Sequence, residues 1–213
     1  MADSVGYEDF GNMIRAAAAK VAAGHQELSR LDSVVGDGDH GTTMRRAMNL
    51  AVKSVDGCRA HDLRAVLSDV GWAILGVDGG ATGPLLGTFF IGMAEATAGR
   101  QVLDAAGVAE AFEGAVAAVR KQTKAEVGDK TMIDALVPAV EALRAAAQAG
   151  QSVAGALAKA ADAAERGAAA TTDFRAKFGR ARNLGDRSIG SPDPGATSVG
   201  LIFRGFAEAV AKK

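Results

Sequence analysis

Gly36-Asp37-Gly38-Asp39-His40-Gly41-Thr42-Thr43, with Asp32 a short step upstream, is the stretch around which the rest of the chain is organised. Two carboxylates alternate with glycines, and a histidine and two hydroxyls follow at once. Glycine opens positive φ and removes side-chain clashes, so the backbone can wrap tightly around a small charged object. Two aspartates this close repel each other unless a cation lies between them or one is protonated. Hard oxygen ligands with no cysteine beside them favour Mg2+ or Ca2+ over zinc.

Outward from this loop, 213 residues suffice to bury a sizeable core and read as one domain spanning 1–213. Lysine plus arginine (24) nearly balances aspartate plus glutamate (25), and no run of like charge occurs. Nucleic acid and membrane surfaces therefore have no electrostatic support as partners. Cys58 stands alone, which excludes an internal disulfide and suggests a surface or semi-buried thiol. Met1 to Phe10 carries Asp3, Glu8 and Asp9 and lacks the basic-then-apolar order of a signal peptide. No stretch reaches the roughly 18 apolar residues that cross a bilayer. The expectation is a soluble, cytoplasmic protein.

Alanine is abundant, β-branched residues rarely cluster, and four prolines interrupt little, so helix is expected to dominate. Phe10, Met13, Ile14, Ala17 and Val21 start a first long helix that continues past Leu28 and Leu31 to end beside Asp32. Thr42 or Thr43 is the expected N-cap of a second helix, with Met44, Ala47, Met48, Ala51 and Val55 inward. A third runs from about Asp62 to Leu75, and Pro84 falls in the first turn of a fourth through Phe89, Phe90 and Met93. A fifth spans Asp104 to Lys121, a sixth carries Ile133 to Leu143, and a seventh runs from Val153 beyond Ala164 towards Phe178. Gly179 to Pro194 is the least helical segment, and the last helix runs from Ala196 to about Val210. Eight amphipathic helices without a convincing strand predict an all-α, antiparallel up-and-down bundle or barrel.

The chemically loaded connections alternate. Those at about 32–43, 77–83, 123–131 and 180–195 follow helices one, three, five and seven, while those near Gly57, Gly99 and Gly150 are plain. In an up-and-down arrangement odd-numbered connections emerge at one end, which brings Asp37, Thr82, Lys130 and Asp193 around one mouth.

Counted from Asp37, an EF-hand needs glutamate at its twelfth position, where this chain has Met48, so the calcium loop falls. Carboxylates beside the start of a helix instead suit a Mg2+–nucleotide phosphate. Gly79-Gly80-Ala81-Thr82-Gly83 also precedes a helix and offers backbone N–H groups and a hydroxyl to phosphate. Gly128-Asp129-Lys130-Thr131 lacks the earlier glycine and the preceding strand of a P-loop, leaving Lys130 as a solvated charge or a phosphate contact. Arg180, Arg182 and Arg187 can neutralise phosphate or pair with Asp186 on the surface, and Asp193 suits a helix cap. His61 reads as a surface group, His40 as a functional one, and Trp72 with Phe89 and Phe90 as core.

Taken together, the motifs resemble a known family. Leu31-Asp32, Gly36-Asp-Gly-Asp-His-Gly41, Gly79-Gly-Ala-Thr-Gly-Pro-Leu85, Gly87-Thr-Phe-Phe90, Gly128-Asp-Lys-Thr-Met132, Asp134-Ala-Leu-Val-Pro138, Arg187-Ser-Ile-Gly190 and Asp193-Pro-Gly-Ala-Thr-Ser198 look like the L subunit, or nucleotide-binding domain, of dihydroxyacetone kinases. The resemblance covers nearly the whole chain, in order. It implies an eight-helix antiparallel barrel that holds ADP or ATP at one end through two Mg2+ ions. It implies Asp32, Asp37 and Asp39 as metal ligands, and His40, Gly41, Thr42, Thr43, Ala81 and Thr82 around the phosphates. Thr123, Met132 and Arg180, with Asp193-Pro194-Gly195, would line the rest of the nucleotide pocket. Relatives often carry Ser or Asn where this chain has Thr43 and Thr82, and Thr123 matches no distinctive motif.

The same resemblance implies divided labour. A separate K subunit would hold dihydroxyacetone covalently on a histidine, and this chain would supply the phosphoryl group, with Arg180 or Lys130 offsetting charge. Two donors fit: ATP used directly, or ADP as a permanent cofactor recharged by a phosphotransfer M subunit fed from phosphoenolpyruvate. The small form of the chain leans to the second by family analogy. The related domain of fatty-acid kinases carries threonine where this chain has His40, which argues against that branch. A third reading, from another class, is a binding module that reports nucleotide state to a transcription regulator.

Overall fold

The computed structural model describes residues 3–212, so Met1, Ala2 and Lys213 of the expected 1–213 span lie outside the described residues. Eight α-helices dominate: α1 (Tyr7–Val35), α2 (His40–Gly57), α3 (Leu63–Leu75), α4 (Thr82–Ala96), α5 (Ala105–Arg120), α6 (Ile133–Gln148), α7 (Val153–Ala170) and α8 (Pro194–Ala211). Each packs on its neighbour in sequence, and α8 returns to pack on α1, so the helices close a circuit. The all-α expectation holds, with one small addition. Val5–Gly6 (β1) pairs antiparallel with Val102–Leu103 (β2), too short a ladder for periodicity to reveal.

The apolar stripes read from the sequence turn inward, including Phe10, Met13, Ile14, Met48, Leu67, Phe90 and Phe206. Phe112 of α5 meets Phe89 of α4 at 5.8 Å and Phe203 and Phe206 of α8 at 5.3 and 5.9 Å. These near-perpendicular and tilted rings fill the middle of the circuit. Trp72 does not join them: it is 65% exposed. It lies two residues from both Val70 and Ile74, some 200° round the helix from the buried stripe. Cys58 is buried at the end of α2, beyond the surface or semi-buried setting expected of it.

Element ends differ from the local capping pattern where another helix supplies the partner. The N-cap of α2 is Asp39, not Thr42 or Thr43, and His40 N donates to Asp32 Oδ2 at 3.2 Å, so the preceding helix supplies the acceptor. Helix α7 ends at Ala170 rather than approaching Phe178. The stretch expected to be irregular contains 3-10 turns over Arg180–Ser188, broken at Gly185 (φ 58°). Asp193 caps α8 as expected, accepting from Ala196 N at 2.7 Å.

Candidate functional site

The odd-numbered connections do meet at one end. A Cβ on Gly79 would lie 2.7 Å from Thr43 Oγ1, so the turn before α4 rests on the first turn of α2. Arg180 forms an ion pair with Asp37, and His40 Nε2 lies 2.8 Å from Ser198 Oγ, joining the first and last of these connections. Lys130 Nζ donates to Ser191 O at 2.6 Å, which joins the connections after α5 and α7. Tyr7, Cys58, His61, β1 and β2 occupy the opposite end, where Tyr7 stacks edge-on to the exposed His61 at 5.0 Å.

At the centre of the loaded end stand Asp32, Asp37 and Asp39. One oxygen from each lies within 4.8 Å of the others; Asp32 is half-buried and the other two are exposed. The last turn of α1 carries Asp32 and the Gly36–Asp39 loop carries the other two, bent by Gly38 at φ 79°. A Cβ on Gly36 would collide with Asp32 Oδ1, so only glycine lets the chain pass so close to that carboxylate. Three carboxylates against one guanidinium leave an excess of negative charge, and an all-oxygen donor set of this kind fits Mg2+. Arg180 meets Asp37 through Oδ1, which leaves Oδ2 of the same carboxylate available to a cation.

His40 is half-buried at the start of α2. Burial pushes its imidazolium down from the ordinary value, opposed by Asp32, the Pro194 backbone and Asp39. The Ser198 hydroxyl donates to Pro194 O at 3.0 Å, so it accepts from His40, which places the neutral ring's proton on Nε2. Gly41 and Thr42 follow in the first turn of α2, where amide groups lack helical partners and attract anions. A Cβ on Gly41 would strike His25 O, so glycine also permits the close crossing of α1 and α2.

Gly79 and Gly80 take φ of 127° and 55°, and Ala81 caps α4 with Thr82 as its first residue. Thr82 is half-buried and Ala81 exposed, whereas Thr43 is only 4% exposed and supports the Gly79 turn. Met132 faces Gly195: a Cβ there would lie 3.5 Å from Met132 Cβ. Thr123 makes a local turn, its Oγ1 accepting from Ala125 N at 3.1 Å.

Lys130 corrects both of its expected roles. It is 2% exposed, and its ammonium donates to Thr171 O at 2.5 Å and to Ser191 O, so it is neither solvated nor free to meet a phosphate. Burial pushes this amine down, opposed by Asp193, Asp134 and Asp173. Arg182 and Arg187 are exposed, and Asp186 pairs at 3.4 Å with Arg175 rather than with them. Ser198, Thr171 and Asp134 escaped notice as site residues. Their only signal is a small polar or acidic residue set inside an apolar helical pattern, a position shared by many structural caps.

An all-helical chain with one acidic, glycine-lined end is the class that fold and site define. The chain belongs to the DAK2 domain family, whose model matches residues 34–208. It is 42% identical over 182 residues to the Escherichia coli (strain K12) protein named PEP-dependent dihydroxyacetone kinase, ADP-binding subunit DhaL, covering 85% of this chain and 87% of that one. It is 37% identical over 201 residues to the D-erythrulose kinase of Mycolicibacterium smegmatis (strain ATCC 700084 / mc(2)155), covering 92% of this chain and 34% of that one. Among solved structures, the dihydroxyacetone kinase from C. freundii in complex with AMP-PNP and Mg2+ superposes with a TM-score of 0.72 at 28% identity. That match covers 93% of this chain and 33% of the kinase chain, so this chain spans about a third of that enzyme. No helix among the described residues is long and apolar enough to cross a membrane.

Proposed function

We propose that this chain is the ADP-binding, phosphoryl-donating subunit of a phosphoenolpyruvate-dependent dihydroxyacetone kinase. The observation that carries this reading is the convergence of Asp32, Asp37 and Asp39 within 4.8 Å, directly before the amide-rich start of α2. The 42% identical relative bears that function in its name. Asp32, Asp37 and Asp39 would hold two Mg2+ ions, which supply charge neutralisation to the phosphates when bound.

The chain's own groups do the rest. With the His40 amide bonded to Asp32, the Gly41 and Thr42 amides at the start of α2 and those of Ala81 and Thr82 at the start of α4 are the N–H groups that would meet phosphate oxygens, and His40 borders them. Thr43 holds the Gly79 turn against α2, so the two helix starts keep a fixed spacing. His40, with its proton held on Nε2 by Ser198, turns Nδ1 into an acceptor. Arg180, already paired with Asp37, stands where its guanidinium offsets charge on the transferred group. Thr123, Met132 and the Asp193–Pro194–Gly195 turn complete the nucleotide pocket of a single 1–213 domain. The sugar would be held by a separate K subunit, and an M-type phosphotransfer subunit would recharge ADP, all within the cytoplasm.

A second reading, direct use of ATP, is favoured by one observation: the solved kinase that superposes here holds AMP-PNP, an ATP analogue, with Mg2+. Reconstitution with a K-type subunit separates the donors. Turnover that needs phosphoenolpyruvate and its phosphotransfer proteins supports the first reading; turnover with ATP alone supports the second. In either case Asp37→Ala should lose Mg2+–ADP binding and at least ~100-fold in turnover, because electrostatic stabilisation is the main protein contribution to phosphoryl transfer. Its helical circular dichroism should stay intact, since Asp37 is exposed. Retained turnover would remove the metal-ligand assignment.

A further inference from the structure

Lys130 occupies left-handed backbone at φ 60°, a region that residues with a Cβ seldom enter. The turn that puts it there is built by Asp134, whose Oδ1 accepts from Gly128 N at 2.5 Å and whose Oδ2 accepts from Thr131 N at 2.7 Å. So folded, the turn sends the lysine inward rather than to solvent. Its ammonium meets Thr171 O at the C-terminal end of α7, where carbonyls lack helical donors and the helix dipole favours a cation. The same ammonium reaches Ser191 O, twenty residues further along the connection to α8.

Other bonds follow the same seam. Thr171 Oγ1 accepts from Asp193 N at 2.7 Å, and Gly190 N donates to Thr172 O at 2.8 Å. Lys177 closes the outer edge, with its N donating to Asp129 O at 3.1 Å and its Nζ to Asp129 Oδ1 at 2.6 Å. The seam ends at the Asp193 cap and at Gly195, which rests on Met132. Met132 is two residues from Lys130, and Asp193 two residues from Ser191. One buried ammonium therefore fixes the distance between the two walls that the nucleotide reading assigns to Met132 and to Asp193–Gly195.

We propose that Lys130 is a positioning residue for the nucleotide, tying the turn that carries Met132 to the connection that carries Asp193–Pro194–Gly195. The proposal rests on the nucleotide reading above. It predicts a role for this lysine without any contact to phosphate, and therefore an effect on nucleotide affinity that leaves the carboxylate site untouched.

The test is calorimetric titration of the whole chain with Mg2+–ADP, alongside Mn2+ alone followed by electron paramagnetic resonance. Lys130→Met keeps the stem but removes the donors, and should weaken Mg2+–ADP binding at least tenfold while Mn2+ affinity stays within twofold. Lys130→Arg, which restores donors with a larger head, should fall between parent and Lys130→Met. Hydrogen exchange should quicken about tenfold at the Gly190 and Asp193 amides of Lys130→Met, with the amides of α1 to α4 unchanged. If Lys130→Met does not fold, Thr171→Val takes its place; it deletes the acceptor of the Asp193 amide and should weaken Mg2+–ADP at least threefold. Parent-like ADP binding in Lys130→Met, or in Thr171→Val where that variant decides, overturns the positioning role. A parent chain that binds no Mg2+–ADP overturns the nucleotide reading itself.

Discussion

Asp193 caps α8, accepting from Ala196 N at 2.7 Å, with Lys130 and Asp134 as the charged neighbours of its carboxyl. Burial pushes this carboxyl up to about 7; the Ala196 and Gly195 amides and Lys130 oppose the shift, and Asp134 adds to it. A carboxyl raised in the folded state binds its proton more tightly there than in the unfolded chain. Its contribution is therefore full below the ordinary carboxylate range and is lost as pH rises through about 7. Asn at this position keeps an N-cap acceptor without an ionisable proton. Melting curves of the parent and Asp193→Asn between pH 5 and 8 should show the variant gaining on the parent as pH rises; a constant difference would sink this account. Residues of this kind mark the limit of what was legible in the sequence. The acids and glycines of 36–43 announce their chemistry because the residue types are unusual together. Lys130 does not, since only the left-handed φ and the Asp134 bonds turn it inward. Trp72 misled for the opposite reason: a tryptophan is read as core by type, while its helical phase points it to solvent.

Pro138 lies inside α6, where it cannot donate to Asp134 O four residues earlier. Helix α7 crosses over that freed carbonyl at Gly167, where a Cβ would run into Asp134 O and lie 3.0 Å from Ala135 Cα. An interior proline and a facing glycine thus form one joint, and the joint adjoins the carboxylate that folds the 128–131 turn. Gly167→Val would drive branched carbons into backbone that has no rotamer to yield. It should cost about 2–3 kcal/mol by overpacking, which chemical denaturation would read as a lower midpoint at unchanged slope. A midpoint equal to the parent's would mean that α7 shifts freely over α6. The elements themselves were legible because apolar residues recur at helical spacing in every one. Their ends were less so. Asp39 is at least as good a cap by type as Thr42 or Thr43, yet its side chain makes no cap bond, and Asp32, eight residues upstream of His40, satisfies the first amide of α2 from another helix. Tertiary donors and acceptors of that sort leave no local pattern.

At the scale of the molecule, the alternation of loaded and plain connections depends on the helices running up and down and then closing. Closure falls to α8 against α1, and its tightest point is Gly205, where a Cβ would lie 2.5 Å from both the Cα and the N of Ala17. Those are backbone atoms of a buried helix, so the two helices must part to admit any side chain. The same pair carries Asp32 at the end of α1 and Asp193 and Ser198 at the start of α8, both at the loaded end. Gly205→Leu should therefore destabilise by about 2–3 kcal/mol through overpacking. For a chain of this size each kcal/mol shifts Tm by about 2–4 °C, so a fall of about 4–12 °C is expected. Gly57→Ala supplies the contrast, because nothing lies within 4 Å of a Cβ at the end of α2. Removing a helical glycine there should hold Tm or raise it, since Ala gains stability by up to ~1 kcal/mol of backbone entropy. Differential scanning calorimetry of the two variants beside the parent decides the matter. Equal melting of Gly205→Leu and the parent would show that α1 and α8 do not close the circuit under load, and the one-ended site would then need another reason to hold together.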